Sequence, residues 1–168
     1  MLNHLDGLTA RVGGNNPLID SWLTARRQLL VAYYQAVGLK PAKSSLTTLD
    51  DKAMDAFCQN LVDYLSTGHF SIYQRLIDQI QNSHPLSSAG QICQPLESNT
   101  DTLMRLYDSH LAQAITDDNC LEFQQALSEV GETLEARFTL EDALIMLAYE
   151  QNQHPHGAAN DSQIDRPA

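Results

Sequence analysis

The sequence predicts an all-α fold, a helical bundle of about four long helices with shorter peripheral ones. Three observations carry this. Apolar residues recur at three- and four-residue spacing along nearly every segment. No stretch alternates as a half-buried strand does. Most glycines and prolines fall between the periodic segments, where they punctuate helices. With 43% hydrophobic residues in 168, the chain can bury a core of its own, and wholesale disorder is excluded. One domain is expected over residues 1–150, followed by a disordered tail over 151–168. That tail carries one large apolar residue, Ile164.

The elements follow in order. Leu2, Leu5, Leu8 and Val12 predict a short first helix ended by Gly13-Gly14. Asn16 is placed to cap the next helix, with Pro17 at its first position, where a missing N–H costs nothing. A broad stripe from Leu18 through Trp22, Arg26, Leu30 and Tyr33 to Val37 makes this a central helix closed by Gly38. Trp22 is assigned to the core. Tyr33 and Tyr34 differ by about 100° around the helix, so one of them is free to reach a surface groove. Residues 39–49 read as a loop, and Thr48 or Asp50 starts the next long helix. Phe70, Tyr73, Leu76, Ile77 and Ile80 predict another helix to Asn82. Pro85, Gly90 and Pro95 mark a connection with at best one helical turn. A helix then spans 97–117, and a last one runs from 118 to 150. In that last helix Leu121, Leu127, Val130, Leu134, Phe138, Ile145 and Leu147 form the stripe. Gly131 weakens it by about 1 kcal/mol. Its acids, Glu141 and Asp142 among them, oppose only Arg137 and present a negative outer face.

The segment from Phe57 to Tyr73 is the most informative. Cys58, Leu61, Val62 and Leu65 share one arc, with Phe57 and Tyr64 at its edge, while Gln59, Asn60, Asp63 and Ser66 occupy the opposite arc. Gly68 reads as a helix stop in the left-handed conformation. The core explains the apolar arc. It does not explain a corner that collects Asp63, Ser66, His69 and Phe70.

Charge narrows the function classes. Acids number 21 and bases 10, a net −11. Residues 1–84 balance at 7 and 7, and residues 85–168 carry 14 acids against 3 bases. Such a surface repels nucleic acid and anionic lipid and favours basic partners. Arg26-Arg27 is the one basic doublet, so direct DNA binding is not expected. No stretch approaches a membrane span and no signal peptide is expected. Cys58, Cys93 and Cys120 form no CxxC pair and read as core thiols in a reducing, cytoplasmic setting. No histidine lies three residues after a glutamate, and neither a His-Glu-x-x-His signature, a Gly-x-Ser-x-Gly elbow nor a glycine-rich phosphate loop is present. No metal, no cofactor and no hydrolase chemistry are expected.

The run Leu61-Val62-Asp63-Tyr64-Leu65-Ser66 followed by Gly68-His69-Phe70-Ser71-Ile72-Tyr73 resembles the regulator of sigma D family, which includes the alginate regulator AlgQ. Leu29-Leu30-Val31-Ala32-Tyr33-Tyr34, Leu121-Glu122-Phe123-Gln124-Gln125 and Glu135-Ala136-Arg137-Phe138 share the resemblance, which extends from residue 1 to about residue 147 and leaves out the tail. The resemblance implies a helical bundle without enzyme activity, an anti-sigma factor that binds the C-terminal, promoter-reading domain of the primary sigma factor. On that reading the partner-binding residues are Asp63, Tyr64, Ser66, His69, Phe70 and Tyr34. Asp63 would pair with an arginine of the partner, and Tyr64, Phe70 and Tyr34 would serve as apolar anchors. The alternative from the residues alone is a small-molecule-binding or catalytic bundle that uses the Asp63/His69 corner, which requires a deep pocket with converging polar groups. A general interaction protein with several regulatory partners is the third.

Overall fold

The computed structural model describes residues 1–38, 51–83, 89–114, 116 and 118–153. Among these residues every regular element is helical: α1 (Leu2–Val12), α2 (Pro17–Val37), α3 (Asp51–Thr67), α4 (Tyr73–Ser83), α5 (Ala89–Leu106) and α6 (Cys120–Gln153). Two π-helical turns join them, Gly68–Ile72 between α3 and α4, and Tyr107–Leu111 at the end of α5. The all-α reading holds. None of the described helices is long and apolar enough to cross a membrane. The expected loop at 39–49 and the start at Thr48 or Asp50 lie outside the described residues; of the tail expected over 151–168, residues 151–153 instead continue α6, and the rest lies outside the described residues.

Local chemistry sets the helix ends as expected for α2. The Asn16 side chain accepts a hydrogen bond from the Leu18 amide at 2.9 Å, Pro17 follows, and Gly38 closes the helix with φ +65°. Helix α1 buries Leu5, Leu8 and Val12 against the bundle. Helix α2 is central: Trp22, Leu29 and Leu30 are at most 1% exposed. Trp22 donates to Tyr64 and Tyr33 stacks on Phe57, so α2 and α3 run antiparallel. Arg26 meets Asp142 while Tyr33 reaches the Leu127 carbonyl, so α2 and α6 are antiparallel too.

Three expectations are corrected. Gly68 does not stop a helix. Thr67 and Tyr73, which flank the π turn, both have right-handed helical backbone, and α3 passes through it into α4. At about 100° per residue, Tyr64 and Tyr73 would point to opposite sides of an unbroken α-helix. The wider turn changes the phase, and both hydroxyls reach Glu141. Glycine is required there for packing: a Cβ at 68 would lie 2.7 Å from the Tyr73 hydroxyl oxygen. Next, the stretch read as a connection is the first half of α5. It starts at Ala89 and carries Pro95 inside it. Buried Ala89 and Leu96 and half-buried Ile92 and Cys93 give that half a core face, while Pro95 is turned to solvent. The α5 segment accordingly ends earlier than expected, at Leu111. Finally, Leu121 is 73% exposed, and Phe123, at 2%, takes its place in the α6 stripe.

Gly131 also proves to be a contact rather than a weak point. Tyr33 lies across it and donates to the Leu127 carbonyl at 3.1 Å. Helix propensity alone would make Gly131→Ala stabilising by up to about 1 kcal/mol. A Cβ there would sit 2.1 Å from the Tyr33 hydroxyl oxygen and 2.8 Å from its ring, so the ring must move and surrender its bond. Overpacking of this kind costs about 1–3 kcal/mol and wins. Gly131→Ala is therefore expected to lower the thermal midpoint, and a rise would show that Tyr33 relocates freely.

Candidate partner-binding surface

The outer face of α3 presents Asp63 to solvent. Gln59, one turn earlier, holds it by donating from Nε2 to both carboxylate oxygens at 3.1 Å. The carboxylate is thus oriented on a helix whose other face is anchored by Phe57 and Leu61, both fully buried. Ser66 is exposed one turn further along. It lines an open groove of about 430 Å³ between α3 and α5, floored by Val62, Leu65 and Met104 and edged by Glu97 and Asp101. Among the described residues, no lysine or arginine lines this groove.

The remaining predicted site residues divide. Tyr64 is corrected: at 3% exposure it is no surface anchor. Its hydroxyl accepts from Trp22 Nε1 at 2.9 Å and donates to Glu141 Oε2. The arc that placed it at the edge of the apolar face put it next to a buried carboxylate. Tyr34 is half-buried, edge-on to Tyr33 with ring centroids 5.7 Å apart. Because Tyr33 packs on Phe57, Tyr34 belongs near the first half of α3, and Asp63 and Ser66 near the second. His69 and Phe70 lie in the π turn, and their side chains are outside the described residues. The structure brings Asp63 and Ser66 together. The groove residues on α5, Glu97, Asp101 and Met104, lie within the helix expected over 97–117 but were missed, because which face of it packs beside α3 is set by tertiary contacts.

Beneath the face lies a feature the sequence reading turned inside out. Glu141, Arg137 and Arg26 are 0%, 0% and 1% exposed, so the acids of α6 do not all face outward. Arg26 Nη2 donates to Glu141 Oε2 at 2.9 Å, and its Nη1 donates to Asp142. Arg137 Nε lies 2.9 Å from Glu141 Oε1, an ion pair not aligned as a hydrogen bond, while its Nη2 donates to the Tyr73 hydroxyl at 2.6 Å. Tyr73 in turn donates to Glu141 Oε1 at 2.6 Å. The Arg26 guanidinium also stacks 4.8 Å over the Phe138 ring. Burial, and then the charge of Glu141, hold the phenols of Tyr64 and Tyr73 well above the ordinary tyrosine range, so both remain proton donors. Burial works against the charge of Arg26, but Tyr64, Glu141 and Asp142 outweigh it. Four helices, α2, α3, α4 and α6, converge on one carboxylate. This cluster fixes how α3 and α4 sit on α6, and therefore how Asp63 is presented.

The thiols of Cys58 and Cys93 are half-buried, and burial pushes both up from the usual range, consistent with packing roles.

Comparison with known proteins agrees with the extent of the resemblance along the chain. The family model for the regulator of RNA polymerase sigma(70) subunit, Rsd/AlgQ, matches residues 1–149. The chain is 55% identical over 168 residues, the full length of both, to a protein named regulator of sigma D from Enterobacter sp. (strain 638). It is 59% identical over 152 residues to the regulator of sigma D of Pectobacterium carotovorum subsp. carotovorum (strain PC1), covering 89% of this chain and 99% of that one. It is 58% identical over 150 residues to that of Salmonella arizonae, covering 89% and 93%. An acidic helical bundle with this motif, matched along nearly its whole length, belongs to the Rsd/AlgQ family of regulators of the RNA polymerase sigma(70) subunit.

Proposed function

We propose that this protein is an anti-sigma factor that sequesters the primary sigma factor by holding its C-terminal, promoter-reading domain. The observation that carries the reading is the exposed, oriented carboxylate of Asp63 beside a groove edged by Glu97 and Asp101. A promoter-reading domain offers a basic helix-turn-helix surface, with arginines that otherwise meet DNA phosphates. An arginine paired with Asp63 is no longer available to DNA or to the polymerase. Competition follows, because one surface cannot occupy two complexes. Exposed ion pairs contribute about 0–1 kcal/mol each, so apolar side chains must supply most of the affinity. The family's described role, regulation of the sigma(70) subunit, supports this reading, and a cytoplasmic location accompanies it. The role is regulatory and involves no catalytic step. Asp63 stands exposed on the outer face of α3 with Gln59 as its hydrogen-bond partner, which favours a surface contact over the small-molecule alternative.

The test is transcription from promoters that require the upstream element. The protein should inhibit it in proportion to its ratio to sigma factor, and should not retard promoter DNA on its own. Saturable binding to DNA at physiological salt would contradict the proposal.

A further inference from the structure

A recess that shares no lining residue with the α3–α5 groove lies where α1 meets α2 and α6. Its volume is about 120 Å³. A cavity of about 150 Å³ takes a benzene ring, so this one takes about five non-hydrogen atoms. Leu5, Leu30 and Phe138, all buried, supply its apolar wall, and Glu135 and Thr139 are exposed at its rim. Its polar feature is Asp142. The Oδ1 atom accepts from Arg26 Nη1, whereas Oδ2 is buried and no group among the described residues donates a hydrogen bond to it. His4 Nδ1 lies 3.3 Å from Oδ2 and forms an ion pair with it only when the imidazole is protonated. Arg26 is committed elsewhere, its three nitrogens directed to Tyr64, Asp142 Oδ1 and Glu141. A buried carboxylate oxygen in this position calls for a donor from within the recess.

Charge decides which donor. Arg26 and Arg137 balance Glu141 and Asp142 in the buried cluster, so Glu135 at the rim leaves the recess negative. A cationic donor is favoured over a neutral one, and an anion is opposed. We infer that the recess binds a small primary alkylammonium of about four carbons, with its ammonium on Asp142 Oδ2 and its chain against Leu5, Leu30 and Phe138. Glu135 draws the cation in without touching it, and protonated His4 competes for the same oxygen. The site is separate from the function proposed above, which assigns no role to these residues.

Titration of the full chain with n-butylammonium, read from the methyl NMR signals of Leu5 and Leu30, tests this. n-Butanol and butyrate are the comparison probes, equal in chain length but neutral and anionic, and sodium chloride controls for ionic strength. A saturable response to n-butylammonium is expected with a Kd at or below about 1 mM, and the two comparison probes should bind at least ~10-fold more weakly. Asp142→Asn keeps the shape of the recess and removes its charge, and should weaken binding at least ~10-fold. Because that change also touches the Arg26 pair, Thr139→Phe is a second variant, filling the recess from an exposed position with the ion cluster intact. Circular dichroism melts establish that each variant is folded. Thr139→Phe should abolish the response, and binding that survives it would overturn the inference by placing the ligand elsewhere. Equal binding of n-butanol would overturn it in favour of an apolar cavity without charge selection. No saturable response by about 20 mM would overturn it too, showing that water alone serves Asp142 Oδ2. None of these outcomes bears on the anti-sigma reading.

Discussion

Glu141→Ala is expected to destabilise the fold by about 3–5 kcal/mol, a large share of the stability of a domain this size. The reason is what it leaves behind rather than what it removes. Arg137 loses the only carboxylate with which it forms an ion pair among the described residues, while fully buried, and Arg26 keeps Asp142 alone. The hydroxyls of Tyr64 and Tyr73 lose their acceptor in the same dry interior. An unpaired buried charge costs far more than the net gain from forming the pair, so the loss exceeds that of removing an exposed acid such as Glu122, which should stay within about 0.5 kcal/mol. Urea unfolding monitored by circular dichroism reads both, with the midpoint moving and the slope preserved. A loss below about 1 kcal/mol at Glu141 would show that Asp142 or penetrating water takes over, and that the cluster does not tie α3 and α4 to α6.

Much of this fold was legible because helix-forming periodicity and capping residues agree with each other. Asn16, Pro17 and Gly38 bound α2 in sequence and in structure alike. The failures have physical causes. Gly68 and Gly131 looked like a stop and a flaw, yet each makes room for a tyrosine: Tyr73, turned back by the π turn, at Gly68, and Tyr33, arriving from α2, at Gly131. The π turn after Thr67 has no local signature, so the phase of α4 could not be carried over from α3. The buried ions were hidden by residue type alone. In α6 the spacing Phe123, Leu127, Val130, Leu134, Arg137, Glu141, Leu144, Ala148 alternates four and three without a break, and all eight residues are buried. A charged pair placed in register on an apolar stripe is the signal that an inward-facing network exists, and Arg26 lies on the α2 stripe in the same way. Of the site, Asp63 and Ser66 could be read from one helix. The groove could not, because its other wall is on α5.

The second large effect concerns the partner and not the fold. Asp63 is exposed on the outer face of α3, hydrogen-bonded to Gln59 and with no hydrogen bond to the ion cluster among the described residues, so Asp63→Arg should alter stability by only about 0.5 kcal/mol. Binding should nonetheless drop sharply, because attraction to a partner arginine becomes like-charge repulsion, which costs several kcal/mol in an interface. Glu132→Arg, on the exposed face of α6, makes the same charge change elsewhere and should have little effect. The most direct measurement is therefore a calorimetric titration of the sigma factor's C-terminal domain against the unaltered protein, Asp63→Arg and Glu132→Arg, repeated with charge reversals at individual arginines of the domain. Loss of binding confined to Asp63→Arg, recovered in part by reversal of one particular arginine, is the predicted result. Undiminished binding by Asp63→Arg would contradict it, since the α3 face could then not be where the partner is held.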